Sequence, residues 1–304
     1  MFEEKFQSIN VNLALGLPHG VELSVKREDL IHPHIPGNKF RKLKYNFAAA
    51  KEQQARVLIT FGGAYSNHIS AVAELGARSG FKTIGYIRGE ELAAKVASNS
   101  TLMKAKSLGM ELRFLSRERY REKNETPFLE NLKKEVPTGY IIPEGGTNEL
   151  AIRGCEEIIK AKDEIYDYIC VAVGTGGTMS GIVRAAKPTQ CVLGFQALKG
   201  DFLKDEISKW VGTRTNWKMI DTYGFGGYAK IKPELISFMN TFKAETKIPL
   251  DPIYTGKMMF GILDLIEKRY FKENSKVLAI HSGGLQGIAG MNVKLKQKGW
   301  PLIQ

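Results

Sequence analysis

A glycine-rich loop with two threonines follows a strongly apolar run. Residues 174–178 read GTGGT, come directly after YICVAV, and precede a helical stretch that begins near Met179. Glycines let backbone N–H groups approach an anion closely, and the start of a helix favours negative charge. The loop lacks the Lys-Ser/Thr ending of a nucleotide P-loop and does not match GxGxxG. It therefore predicts a phosphate site, with a tight glycine-dependent turn as the alternative interpretation.

A lysine stands at the start of a predicted helix. Lys39 follows Gly37 and Asn38, and the helical pattern FRKLKYNFAAAK begins just after it. The positive end of the helix dipole disfavours an ammonium group, so the pKa of Lys39 should fall below the usual value of about 10.4. The neutral amine is the form that makes a Schiff base with an aldehyde. A solvated surface lysine is the alternative that spacing alone leaves open.

Ser66, Asn67 and His68 follow the apolar run VLITFGG and the short loop AY. Serine and asparagine at the start of a helix are common caps. In the functional interpretation, the same side chains bind an oxygen or a carboxylate of a ligand. On these residues alone the cap is the simpler interpretation.

The order apolar run, glycine-rich loop and helix occurs three times, with runs at residues 57–63, 168–174 and 276–284. Weaker strand candidates lie at 82–89 and 140–146. Such strands belong to parallel sheets covered by helices, which predicts an α/β protein. Because ligands bind at the carboxyl ends of parallel strands, we expect the three loops to share one site. Residues 41–146 are predicted to form a smaller domain, and residues 1–40 with 147–304 a larger one.

The charge of the chain is strongly positive, with 44 Lys and Arg against 32 Asp and Glu and a net charge of +12. The basic residues are spread along the chain, which indicates a basic solvated surface and gives little support for a nucleic-acid partner. The densest charged stretch, residues 113–134, mixes basic and acidic side chains and predicts an exposed helical face. A chain of 304 residues is long enough for two domains.

Cysteine and histidine usage excludes several classes of site. Cys155, Cys170 and Cys191 lack CxxC spacing, which favours a reducing cytoplasm over a disulfide framework. The five histidines show no HExxH or paired-cysteine spacing, so no metal site is predicted. The N-terminus lacks the pattern of a signal peptide, and no apolar stretch approaches the roughly 20 residues of a membrane helix.

Five motifs, taken together and in this order, resemble the fold type II pyridoxal phosphate enzymes: GNKFRKLKY, GGAYSNH, VGTGGTMSG, DPIYTGK and IHSGG. More narrowly, the set is similar to the family of 1-aminocyclopropane-1-carboxylate (ACC) deaminase and D-cysteine desulfhydrase. The resemblance runs from VKREDL at residues 25–30 to IHSGG near the C-terminus. It implies a two-domain parallel-sheet architecture like that of tryptophan synthase β, pyridoxal 5'-phosphate in the cleft between the domains, and a homodimer.

The resemblance also implies roles in holding the cofactor. Lys39 matches the lysine that binds the cofactor aldehyde and later moves protons at the substrate Cα. Asn67 matches the partner of the phenolic oxygen, and Ser282 lies where a partner of the pyridine nitrogen is expected. The implied phosphate cup consists of Gly174, Thr175, Gly176, Gly177 and Thr178.

On the substrate side, the resemblance implies that Ser66, Asn67 and His68 meet the substrate carboxylate. Tyr228, in GFGGYAK, aligns with a tyrosine that faces the substrate, and Tyr254, in DPIYTGK, matches the second active-site tyrosine. A small amino acid is the implied substrate and partner.

The reaction depends on residue 255. In the deaminase pattern a glutamate follows the second tyrosine and matters for ring opening, whereas this chain has Thr255. A threonine cannot replace an anionic partner or a general acid near neutral pH. The sequence therefore favours α,β-elimination from a D-amino acid such as D-cysteine, with ACC deamination as the alternative. Tyr65, where glutamine is common, and Ser70, where a basic residue often follows, also depart from the pattern.

Two other classes of protein share some of these features. A dinucleotide-dependent oxidoreductase also contains strand, glycine loop and helix units, but the chain lacks GxGxxG followed by a correctly placed acidic residue. A protein that binds pyridoxal phosphate without strong turnover, as a carrier or regulator, would carry the same cofactor motifs. Release of sulfide or pyruvate distinguishes an enzyme from a carrier.

Overall fold

A computed structural model describes residues 2, 8–198, 200 and 202–304, with the side chain of residue 202 left out. The described chain forms two separate sheets, one of six strands and one of four. Nearly all neighbouring strands are parallel, and helices cover both faces of each sheet. The predicted α/β parallel-sheet architecture is therefore confirmed.

The six-stranded sheet combines two distant parts of the chain. Its strands, in spatial order, are β1 (Asn10–Asn12), β2 (Glu22–Lys26), β10 (Lys276–Ile280), β7 (Tyr168–Val173), β8 (Cys191–Gln196) and β9 (Trp217–Ile220). The pairing of β1 with β2 is antiparallel, and the other described pairs are parallel.

Side chains alternate between two cores on the faces of the large sheet. In β7, Cys170 packs on the side of α8 (Pro233–Thr246), α9 (Thr255–Glu267) and α10 (Gly287–Gln297). Val171 packs on the opposite side, against the three helices α5 (Glu149–Glu156), α6 (Gly177–Ala185) and α7 (Phe202–Val211). This two-sided burial explains why the strand is apolar throughout, and Cys170 is a fully buried core residue.

The four-stranded sheet has the order β5 (Met110–Leu115), β4 (Lys82–Arg88), β3 (Val57–Gly62) and β6 (Gly139–Ile142), and its described pairs are parallel. One face packs against α1 (Asn38–Glu52), α2 (Asn67–Ser79) and α3 (Ser100–Ser107). The other face packs against α4 (Thr126–Glu135). Helix α1 also contacts α5, so it lies at the junction of the two sheets.

One local prediction was right only in part. Most of the charged stretch 113–134 is helical, as a 3-10 helix at Arg119–Asn124 and α4 from Thr126, but its first residues belong to β5. Because β5 lies at the edge of its sheet, Arg113 can contact solvent, Glu135 and the hydroxyl of Tyr86 from a strand. The five predicted strand segments each contain a strand, which confirms them.

The carboxyl ends of both sheets lead to the same place. Loops that follow β3, β4, β6, β7 and β10 line one cavity, which confirms the expectation of a shared site. Within the described residues, no helix combines the length and the apolar character needed to traverse a lipid bilayer.

Candidate active site

The cavity between the sheets has a volume of about 1060 Å³. The sequence-predicted residues that line it are Lys39, Ser66, Asn67, His68, Gly174, Thr175, Gly176, Thr178, Tyr228, Tyr254 and Ser282. Gly177 lies just behind the wall, where a Cβ would meet Thr147 Oγ1 at 2.8 Å. The structure thus brings together side chains that are up to 243 positions apart along the chain (Lys39 to Ser282).

Lys39 is the second residue of α1, as the sequence predicts. Its side chain is half-buried at the cavity wall, and Nζ lies 3.4 Å from the carbonyl oxygen of Gly145. Burial, and then the positive charge of Lys42, hold the pKa of Lys39 well below its usual value. An amine with a lowered pKa is neutral in a larger fraction of molecules and is therefore a better nucleophile.

A close backbone contact fixes the loop of Ser282 against the start of α1. The N–H of Asn38 donates to the carbonyl oxygen of Ser282 at 3.1 Å. Gly37 has a φ of 66°, and a Cβ there would lie 1.9 Å from that same oxygen. Glycine at position 37 is therefore required both by the backbone conformation and by the approach of the Ser282 loop. His281, buried beneath this loop, contacts the carbonyl oxygen of Pro249.

Lys42 is a site residue that the sequence interpretation missed. It is 1% exposed, and Nζ donates to Gly145 O at 2.9 Å and to Thr147 Oγ1 at 3.1 Å. Thr175 Oγ1 lies 3.5 Å from the same nitrogen. Burial lowers the pKa of Lys42 from its usual value. The available signal was the spacing: residues 39 and 42 are one helical turn apart and share a face of α1.

The glycine-rich loop forms a cradle that suits a phosphate. Gly176 has a φ of 85°, and the loop opens into α6, whose first N–H groups lack partners within the helix. Asn38 Nδ2 donates to the hydroxyl of Thr178 at 2.8 Å, and Thr147 and Thr175 share a hydrogen bond of 2.6 Å. Hydroxyls, free N–H groups and the Lys42 amine converge here, so the residues fit an anionic phosphate group.

The Ser66–Asn67–His68 segment starts α2. The hydroxyl of Ser66 caps the helix by accepting from the N–H groups of His68 and Ile69, so the cap interpretation is confirmed. His68 is 1% exposed, and neither ring nitrogen hydrogen-bonds to a described residue. Burial and the nearby Lys39 keep the pKa of His68 well below its usual value. A buried neutral imidazole without a partner beside the cavity is suited to hydrogen-bonding a ligand.

Tyr228 and Tyr254 face one another at the cavity, with ring centroids 6.3 Å apart. Burial raises the pKa of both phenols, and for Tyr254 the neighbouring Tyr228 raises it further. Both hydroxyls therefore stay protonated near neutral pH. Two uncharged O–H donors at one wall can transfer or share a proton with a bound ligand.

Asp251 holds the segment that carries Tyr254. Its carboxylate accepts from the N–H groups of Ile253, Tyr254 and Thr255 at 2.8–2.9 Å. It also accepts from the hydroxyl of Thr255 at 2.7 Å. Thr255 is fully buried, and it is absent from the described residues that line the cavity.

Lys257, two residues further along α9, holds the loop that carries Tyr228. Its buried ammonium donates to the carbonyl oxygens of Gly224 and Gly227, each at 2.9 Å. Burial lowers the pKa of Lys257 to about 8. The start of α9 thus anchors both tyrosines, one through Asp251 and one through Lys257.

Tyr65 and Ser70, which together with Thr255 depart from the family pattern, lie in the same region. Tyr65 lines the cavity with its ring packed on α10, where a Cβ on Gly290 would lie 2.8 Å from the ring. Ser70 is buried beside a small adjoining pocket that Lys39, Asn67 and Ser282 also line.

Comparisons with known proteins give matches that span most of this chain. A family model described as pyridoxal-phosphate dependent enzyme matches residues 13–283. The mitochondrial bifunctional D-cysteine desulfhydrase/ACC deaminase of Arabidopsis thaliana is 31% identical over 300 residues, covering 90% of this chain and 75% of the relative. The crystal structure of an ACC deaminase homologue has a TM-score of 0.78 at 27% identity and covers 97% of this chain and 94% of that one. A hydrogen sulfide-producing enzyme from Fusobacterium nucleatum, 18% identical, shares the fold with a TM-score of 0.65, covering 93% of this chain and 95% of that one.

Proposed function

Because the chain belongs to the pyridoxal-phosphate dependent enzymes, in the family of ACC deaminase and D-cysteine desulfhydrase, we propose that it catalyses α,β-elimination from a small D-amino acid such as D-cysteine. D-cysteine and one water give pyruvate, ammonia and sulfide. The observation that supports this choice is that position 255 holds a threonine, whose N–H and hydroxyl both donate to Asp251. A threonine in this position offers no carboxylate for opening a cyclopropane ring.

We propose that Lys39 binds the cofactor aldehyde and that residues 174–178 bind its phosphate together with Lys42. Asn67 is proposed to meet the phenolic oxygen, and the hydroxyl of Ser282 the pyridine nitrogen. When bound, the cofactor supplies the electron sink for negative charge at the substrate Cα. A neutral hydroxyl stabilises a protonated pyridine less than a carboxylate does, which suits an elimination.

The other steps are assigned to side chains of the chain itself. Lys39 takes the proton from Cα, and its lowered pKa supports this role because the base must be a neutral amine. Ser66, Asn67 and His68 bind the substrate carboxylate at the start of α2, where the helix dipole favours an anion. Tyr254 and Tyr228 hold protons beside the leaving group, which their raised pKa values support.

A substrate panel tests the proposal. Purified enzyme saturated with pyridoxal phosphate is given D-cysteine, L-cysteine and ACC, and pyruvate, 2-oxobutanoate and sulfide are measured. We expect D-cysteine to react fastest, Lys39→Ala to be inactive, and the control Lys51→Ala, an exposed position on the last turn of α1, to keep the rate. If the enzyme opens the ring of ACC faster than it breaks down D-cysteine, the proposed preference for D-cysteine is overturned.

The second candidate is ACC deamination, in which ACC and water give 2-oxobutanoate and ammonia. It is supported by the name of the Arabidopsis relative, which states both activities. The same panel decides between the two, because only ring opening yields 2-oxobutanoate from ACC.

We further propose a cytoplasmic homodimer with a larger domain at residues 1–40 and 147–304 and a smaller domain at 41–146. The family resemblance supports the dimer, and the segregation of β3–β6 into their own sheet supports the domain division. The free thiols of Cys155, Cys170 and Cys191 are compatible with a reducing compartment. Light scattering on the protein as it elutes from a gel-filtration column measures the oligomeric state.

A further inference from the structure

The four-stranded sheet forms one wall of the cavity. This wall carries basic side chains that have no role in the proposed elimination. Arg88 ends β4, and Arg117 and Lys123 lie on the segments that follow β5. These three side chains line the same cavity as Lys39, Tyr228 and Tyr254. Their charges therefore act on whatever occupies the space beyond the proposed cofactor site.

Two of these cations form ion pairs, whereas the third forms none with a residue that the structure describes. Arg117 forms an ion pair with Glu91 at 2.6 Å, and Lys123 with Glu144 at 3.2 Å. Among the described residues, no carboxylate lies within 4.0 Å of Arg88. Its guanidinium instead lies 5.8 Å from the ring centroid of Tyr120. An arginine so placed keeps its N–H donors free for a ligand.

The position of Arg88 connects it to the proposed chemistry. A Cβ on Gly63 would lie 3.8 Å from Arg88 Nη2, so the guanidinium lies over the loop that leads to Ser66 and Asn67. Arg88 and Tyr228 line the same cavity, and the charge of Arg88 opposes the rise that burial causes in the pKa of Tyr228. Arg88 therefore adjoins the loop proposed to hold the substrate carboxylate and shares the cavity with the tyrosine proposed to lie near the leaving group.

Resting on the elimination activity proposed above, we propose that Arg88 binds an anionic group on the substrate side chain, beyond Cβ. In the proposed site, Lys42 and residues 174–178 bind the cofactor phosphate, and the start of α2 binds the α-carboxylate of the substrate. A planar guanidinium binds a carboxylate through two parallel hydrogen bonds, which makes a second carboxylate the matching ligand. The preferred substrates are amino acids that carry such an anion on the leaving group.

Two cysteine thioethers of nearly equal shape test this specificity. S-carboxymethyl-cysteine carries a second carboxylate, and S-carbamoylmethyl-cysteine carries a neutral amide in its place. In each reaction the Cα–H and Cβ–S bonds break, the leaving sulfur takes a proton, and one water is consumed. The products are pyruvate, ammonia and mercaptoacetate or its amide. Both enantiomers are assayed, and the reactive one is used.

For the enzyme loaded with pyridoxal phosphate, we expect kcat/KM to favour the carboxymethyl probe by about ten- to a hundredfold, the usual effect of a charge-assisted hydrogen-bonded pair. Arg88→Gln should remove this preference by raising KM for the carboxymethyl probe, and should leave kcat/KM for the amide within about twofold. The matched control Arg117→Gln removes an already paired guanidinium from the same wall, so the preference should persist. Visible absorption and the thermal midpoint establish that each variant is folded and loaded.

Equal losses on both probes in Arg88→Gln would place the guanidinium on the α-carboxylate and overturn the proposal, as would an unchanged preference. Isothermal titration of each loaded protein with the same probes gives a second readout that does not depend on turnover. If binding favours the carboxylate through Arg88 but no probe releases pyruvate, the elimination activity fails and the anion site stands. If pyruvate is released without any preference, the anion site fails alone.

Discussion

Lys39 and Lys42 direct their side-chain nitrogens at one acceptor, the carbonyl oxygen of Gly145, at 3.4 and 2.9 Å. Burial lowers the pKa of both amines, and the charge of Lys42, one helical turn away, lowers the pKa of Lys39 further. The two lysines differ in their surroundings. Both lysines line the cavity, but Lys42 is 1% exposed and contacts Thr147 and Thr175, whereas Lys39 is half-buried.

Replacing Lys42 should weaken the hold on the cofactor without removing the covalent link. In Lys42→Met we expect the dissociation constant for pyridoxal phosphate to rise about ten- to a hundredfold, because one charge-assisted contact to phosphate is lost. Titration of the apoprotein, followed by visible absorption, measures it. Lys51→Met, on the exposed last turn of α1, is the control and should bind normally. Unchanged affinity in Lys42→Met would exclude Lys42 from the phosphate site.

An alanine at position 37 should open the site. Gly37→Ala places a Cβ 1.9 Å from the Ser282 carbonyl oxygen, so the Ser282 loop must move away from α1. We expect cofactor affinity to fall at least about tenfold, because the loop that carries Ser282 is displaced from the cavity wall. Gly16→Ala is the matched control, since Gly16 also has a positive φ but no atom within 4 Å of its added Cβ. If both variants bind cofactor equally, the close contact has no functional role.

Removing the charge of Asp251 should disturb catalysis more than cofactor binding. In Asp251→Asn an amide NH₂ faces N–H groups that now donate to a carboxylate, so Tyr254 loses its fixed position. We expect kcat to fall and the free energy of unfolding to drop by about 1–3 kcal/mol, with the visible cofactor band retained. Asp264→Asn, which lies within α9 and is partly exposed, serves as the control. A KM effect alone, with kcat preserved, would argue against a positioning role.

Lys257 should give a pH signature. Its folded-state pKa of about 8 lies below the usual 10.5, so the unfolded chain binds more protons between these values. The free energy of unfolding of the wild type, relative to Lys257→Met, should therefore rise from pH 8 towards pH 10. Urea denaturation across this range measures the difference. A flat or falling difference would show that Lys257 is not held in a desolvated site.

Parts of the fold were accessible from the sequence because their signals are local. Apolar runs followed by glycine identified β3, β7 and β10, and the GNK sequence located the start of α1. Strand β5 was missed because its charged residues belong to an edge strand, and edge exposure depends on which strands lie next to it. No local pattern encodes that neighbourhood.

The site residues also fall into those with a local signal and those without one. The motifs predicted that Lys39, Asn67 and Tyr254 belong to one site, and all three line the same cavity. The parts played by Lys42, Asp251 and Lys257 depend on burial and on acceptors elsewhere in the chain, such as Gly145 and Gly227. Those contacts form only when the loops after distant strands meet, so they cannot be recognised from the sequence around each residue.

The central claim is that the amine of Lys39 forms the covalent bond to pyridoxal phosphate. It is tested by treating the loaded protein with borohydride, digesting it, and locating the cofactor mass by tandem mass spectrometry, which separates Lys39 from Lys42. The account predicts one modified residue, Lys39, and no reducible bond in Lys39→Ala. Stable modification of Lys42 or of any other lysine in the wild type, or none at all, would contradict it.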